Sequence, residues 1–124
     1  MLVAALVDSS PTGRWAEELL ASGLLVAPEL ARAEAANVLR RLELGGQLTR
    51  AEADAAFDDL LQLSVEWFSF EPFAARIWEL RHNVSCYDAW YVALAESLGL
   101  PLATMDGRLS RAKGPTCTFL TPPR

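Results

Sequence analysis

The sequence predicts an α/β fold in which a parallel sheet is flanked by helices. Short apolar runs recur at Leu24–Ala27, Leu102–Met105 and Cys117–Leu120, and longer stretches of helical spacing lie between them. Glycine or proline punctuates the junctions. Strands that alternate with helices argue for parallel pairing with both sheet faces covered.

The elements follow in order. Met1–Val7 is apolar and reads equally as a strand or as part of a buried helix. Ser10-Pro11 starts a helix and Gly23 stops it. Leu24–Ala27 fits a buried strand, and Glu29–Leu44 a helix ended by Gly45-Gly46. The next helix, Thr49–Leu63, opens with Thr49 and Glu52 in capping-box spacing. Val65–Phe70 is aromatic and β-branched, a strand or a loop. A helix follows Pro72 and ends near His82-Asn83, and Ser85 begins another that runs to Gly99. Leu102–Met105 reads as a strand, Asp106–Lys113 as a short helix and Cys117–Leu120 as a last strand.

No repeat or linker divides the 124 residues, so one domain spanning 1–124 is expected. The chain is 52% hydrophobic and 22% charged, a soluble globular profile, and four tryptophans suggest a well-packed interior. The net charge of −5 argues against a non-specific nucleic-acid binder. Cys86 and Cys117 lack metal-ligand spacing and His82 is the only histidine, so zinc and Ser-His-Asp chemistry are unsupported. Buried thiols are expected rather than a disulfide. The opening apolar run is too short for a membrane span or signal-peptide core and has no basic flank. A cytoplasmic protein without membrane attachment is expected.

Three acids stand out. Glu34 falls in the otherwise apolar row Leu30, Glu34, Val38, Leu42. If that row faces the core, its carboxylate must be paired, protonated or metal-bound; if the row lies at the helix edge, Glu34 reaches solvent. Asp88 sits in the first turn of a helix, where it either complements the helix dipole or lines a pocket beside Tyr87 and Trp90. Asp106 follows a strand candidate, where ligands gather in open α/β sheets, and equally reads as a helix N-cap. Thr104, on the same strand face, could hydrogen-bond a water there. Oxygen donors without histidine or cysteine suit Mg²⁺ or Mn²⁺. Such an ion orients water and stabilises charge on a phosphate, which matches phosphodiester hydrolysis. Among nearby bases, Arg81, Arg108, Arg111 and Lys113 have no role that spacing alone assigns.

The chain resembles the PIN domains, and among them the VapC toxins of toxin–antitoxin pairs. The likeness rests on Pro28-Glu29-Leu30-Ala31-Arg32-Ala33-Glu34 with Asn37-Val38-Leu39, on Ser85-Cys86-Tyr87-Asp88-Ala89-Trp90, and on Leu102-Ala103-Thr104-Met105-Asp106. The resemblance implies a Rossmann-like sheet and a Mg²⁺ or Mn²⁺ site at which Glu34, Asp88 and Asp106 are catalytic and metal-binding. It further implies an endoribonuclease acting on an RNA substrate, a homodimer, and a cognate VapB-type antitoxin.

The family's pattern opens with a strand ending in Asp, of the form Val-Asp-x-Ser, ahead of a segment like Leu2–Asp8. Met1 begins after that phrase, so the first strand and a fourth acid are missing here, and the native protein is expected to start a few residues earlier. Asp8 lies at the wrong end of the segment to replace that acid and reads as a turn residue. For the 124 residues as they stand, weak metal affinity and little cleavage are expected. The alternative is a catalytically degenerate PIN domain that only binds an antitoxin or dimerises.

Overall fold

Two compact units emerge from the structure, a computed structural model that describes residues 11–21 and 25–122. The expectations for Met1–Val7, Asp8 and the stop at Gly23 lie outside those residues.

The first unit contains α1 (Pro11–Ala21), α2 (Leu30–Leu44) and α3 (Arg50–Gln62). Helix α1 begins at the expected proline, whose φ is pre-set for a first helical turn. Helices α2 and α3 form a hairpin whose core is Ala35, Leu39, Ala56 and Leu60. Alanines at facing positions let the two backbones approach closely. The bend between them depends on Gly46, whose φ of 84° is a left-handed conformation that other residues resist. Thr49 then caps α3 as expected: its backbone N–H donates to Glu52 Oε1 at 2.9 Å, and the Glu52 N–H donates to Thr49 Oγ1 at 3.1 Å.

The row that α2 buries is Ala31, Ala35 and Leu39. The expected row, one residue over, is a flank on which Leu30, Val38 and Leu42 are half-buried and Glu34 is exposed. Of the two alternatives for that row, the helix edge is the one observed, and Glu34 reaches solvent. The hairpin seam selects the small side chains, because they permit the closest packing.

The second unit is built around α5 (Cys86–Leu98). Before it come a 3₁₀ turn (Glu71–Phe73), α4 (Ala74–Glu79) and a second 3₁₀ turn (Leu80–His82). Helix α5 buries Ala89, Val92, Ala93, Leu94 and Ala95, which together occupy most of its circumference. Phe73, Ile77, Leu80 and Leu109 pack with it to form the core. Gly99, at φ 64°, ends the helix where the sequence places its stop.

Three of the four strands are shorter than the sequence suggests. β1 (Leu25–Pro28) pairs with β2 (Val65–Phe68), and the Glu29 N–H donates to the Phe68 carbonyl at 2.9 Å. β3 (Leu102–Ala103) pairs in parallel with β4 (Phe119–Leu120), in register Leu102 to Phe119 and Ala103 to Leu120. Between β3 and β4 runs the one-turn helix α6 (Gly107–Ser110). Among the described residues the strands thus form two separate pairs, of which the second has the parallel geometry expected. Phe70 falls outside β2 and meets Trp90 edge-on, with ring centroids 5.4 Å apart.

Two further expectations need correction. Trp78 is 62% exposed and carries the Arg81 guanidinium 4.3 Å above its ring, so it is a surface residue rather than core. Both thiols are free as expected, but Cys86 is exposed at the start of α5 and only Cys117 is half-buried.

A charged network ties this unit together. Arg76 on α4 donates from Nε to Glu96 Oε1 at 2.7 Å and from Nη2 to Glu96 Oε2 at 3.0 Å. The Thr116 N–H and hydroxyl also donate to Glu96 Oε2, at 2.7 and 2.9 Å. Arg76 further donates to the Gly114 carbonyl at 2.9 Å. The network therefore joins α4, α5 and the turn that leads into β4. The Arg76 hydrogen bonds, reinforced by those from Thr116, hold the Glu96 carboxyl down to about 2, against some opposition from burial. The same pairing raises the pKa of Arg76.

A carboxyl whose folded-state pKa is depressed stabilises the fold above its unfolded pKa, and that stability is lost as pH falls through the folded value. The Glu96→Gln variant is expected to lose about 1–3 kcal/mol near neutral pH, read by urea unfolding. The difference from the parent should shrink as pH drops from about 4.5 towards 2.

Candidate functional site

Helix α5 places Asp88 in its first turn, after the N-cap Ser85. The Asp88 N–H donates to Ser85 Oγ at 3.1 Å, which fixes the start of the helix and the direction in which the carboxylate leaves it. The residue after Asp88 is Ala89, fully buried, so the chain cannot slide without disturbing the core.

Asp106 is held from the other side. Its backbone is extended, with φ −87° and ψ 104°, at the N-cap of α6. Oδ1 accepts the N–H groups of Arg108 at 2.8 Å and Leu109 at 3.3 Å. The Asp106 N–H donates to Thr104 Oγ1 at 3.0 Å. Thr104 is buried, and its hydroxyl supports the Asp106 backbone. The capping reading of Asp106 holds, but it uses one oxygen. Among the described residues Oδ2 accepts no hydrogen bond.

Asp88 and Asp106 share an open pocket of about 340 Å³, lined also by Asn83, Val84, Ser85, Arg108, Leu109 and Ala112. Burial pushes the Asp88 carboxyl above the ordinary range, the negative charge of Asp106 pushes it further, and the Ser85 hydrogen bond opposes both. Among the described residues neither acid forms an ion pair. The two like charges therefore meet in the pocket without an ion-pair partner among the described residues.

Glu34 lies in the first unit, exposed on α2, while Asp88 and Asp106 come together in the second. Among the described residues no three of His, Cys, Asp or Glu are gathered as a metal cluster. The two acids that do meet still fit a hard divalent cation. Mg²⁺ keeps several waters and is commonly held by one or two carboxylates, with substrate phosphate completing its shell. An ion of that kind would also offset the crowding that raises Asp88.

Residues 1–115 match the PIN domain. The chain belongs to the PIN-domain family. It is 41% identical over 120 residues to Ribonuclease VapC1 of Mycobacterium tuberculosis, covering 92% of this chain and 90% of the relative. It is 39% identical over 109 residues to Ribonuclease VapC9 of the same organism, covering 88% and 86% respectively. A third relative, Ribonuclease VapC3, is 40% identical over 93 residues. The chain is thus a VapC-type PIN domain with a Rossmann-like α/β fold. Asp88 and Asp106, marked in the sequence from their places at a helix start and past a strand, are the pair that this PIN domain brings into one pocket. Asn83 and Val84 were not marked, because a turn ahead of a helix carries no signal that it will line a cavity.

Asparagine caps a helix as well as aspartate does and carries no charge. In metal-free protein, Asp106→Asn should therefore lower the pKa of Asp88 in a carboxyl NMR titration and leave the thermal midpoint unchanged or raised. Asp106→Ala should instead cost about 1 kcal/mol, because the cap is lost.

Proposed function

We propose that this chain is a metal-dependent endoribonuclease toxin of VapC type, with residues 1–124 forming one PIN domain. The supporting observation is the pocket in which Asp88 and Asp106 crowd each other without a neutralising partner. Relatives that carry the name ribonuclease point to RNA as the substrate. In this reading Glu34 joins Asp88 and Asp106 as the catalytic and metal-binding set, a role that its place in the family-like segment Pro28–Glu34 suggests. A bound Mg²⁺ or Mn²⁺ would supply charge stabilisation at the phosphate and activation of water.

The chain's own residues contribute position. Ser85 sets the first turn of α5 and so aims Asp88. Thr104 and the α6 amides hold Asp106 with one oxygen turned to the helix and the other left for a ligand. A cognate VapB-type antitoxin, a homodimer and a cytoplasmic location complete the proposal. Among the described residues no helix is long and apolar enough to cross a membrane.

The test is cleavage of single-stranded RNA across a Mn²⁺ titration. The expected result is weak cleavage that rises with Mn²⁺ and is lost with chelator. Asp88→Asn and Glu34→Gln should each reduce it by at least about a hundredfold, the scale on which loss of one preorganised active-site group acts. A chain that binds a VapB-type antitoxin but never cuts RNA, whatever the Mn²⁺ concentration, would instead be the degenerate PIN domain.

A further inference from the structure

Four basic residues lie near the acidic motifs in sequence, and the structure separates them. Arg81 donates to the Trp78 carbonyl at 2.7 Å and stacks over that indole. Arg111 folds back over α6, with its Nη1 3.0 Å from where a side chain on Gly107 would begin. Neither residue lines the pocket, nor does Lys113; Arg108 does, beside Asp88 and Asp106. Its backbone N–H is committed to Asp106 Oδ1, which fixes the residue at the pocket wall. Its side chain is not committed: among the described residues the exposed guanidinium makes no ion pair or hydrogen bond.

An arginine that lines a pocket with two carboxylates and pairs with neither is placed for a third anion. Its planar donor fork matches the oxygens of a phosphate, which it can grip with two parallel hydrogen bonds. The need is clear from charge alone, because a chain of net charge −5 must supply a local cation to hold a polyanion. A metal held by the acids would serve the phosphate that is cut. Arg108, two residues beyond Asp106 in the chain, lines the same pocket.

We propose that Arg108 is a substrate-binding residue that grips an RNA phosphate at the pocket wall. This rests on the reading of the site as an RNA-cutting centre. The role differs from that of the acids, because Arg108 acts on binding of the strand and not on binding of the metal.

The test uses the full chain carrying Asp88→Asn, to hold RNA without cutting it, with and without a second change at Arg108. Affinity for a fluorescein-labelled single-stranded RNA is read by anisotropy at several KCl concentrations, and Mn²⁺ affinity by calorimetry in the otherwise unchanged chain. Arg108→Ala is expected to weaken RNA binding roughly tenfold and to shrink the slope of log affinity against log salt by about 0.7, the contribution of one phosphate contact on a single strand. Mn²⁺ affinity should not change. Arg108→Lys should keep the salt slope but recover only part of the affinity, because an ammonium cannot form the paired contact. Equal affinity and slope in all three chains would overturn the proposal, and so would an Arg108→Ala loss confined to Mn²⁺ affinity. If the unmutated chain cuts RNA while Arg108→Ala binds normally, only the role of Arg108 falls. If the unmutated chain neither binds nor cuts RNA, the functional reading falls with it.

Discussion

Helix α5 is apolar around most of its circumference, and the second unit depends on its burial. Ala89 and Val92 have no exposure at all, so neither rotation nor sliding of the helix is available without exposing part of the core. A helix so constrained can place charged residues only at its two ends. Asp88 stands at the first turn and Glu96 towards the last. The rigid middle thereby fixes two carboxylates of opposite fate on one element.

Those fates are set by what surrounds each acid. Glu96 meets Arg76 and Thr116, and its charge is favoured so strongly that its carboxyl falls to about 2. Asp88 meets burial and the like charge of Asp106, and its charge is disfavoured. The first arrangement is what stability alone selects, since both carboxylate oxygens find donors. The second costs stability and persists only because Ser85, Thr104 and the α6 amides hold both acids in place. Such charge in a pocket makes Asp88 and Asp106 candidates for a binding site.

Much of this was legible in the residues, for local reasons. The Thr49–Glu52 capping box, the stop at Gly99 and the start at Pro11 each rest on hydrogen bonding or backbone geometry within a few residues. Asp88 and Asp106 were marked from their places at a helix start and past a strand, and both places are as expected. Glu34 shows where periodicity falls short. Two adjacent rows on α2 are both largely apolar, and only the partner helix decides which one is buried. Ala56 and Leu60 on α3 favour the alanine row, which leaves Glu34 in water. Strand lengths were overestimated for a similar reason. β3 and β4 pair over only two residues each, with the Thr104 N–H still donating to the Leu120 carbonyl at 2.9 Å, a tertiary outcome that apolar composition does not encode.

Glu34 lies exposed on α2, where it is accessible to solvent. Asp88 bears the burial and the like charge of Asp106, and both acids line the pocket. A divalent ion drawn to that pair would relieve their repulsion while retaining coordination positions for water, phosphate or a further acid. The acidic character of the chain is then compatible with a polyanionic substrate. The field that repels RNA is concentrated where a cation reverses it, and Arg108 stands at the pocket wall with its guanidinium uncommitted among the described residues.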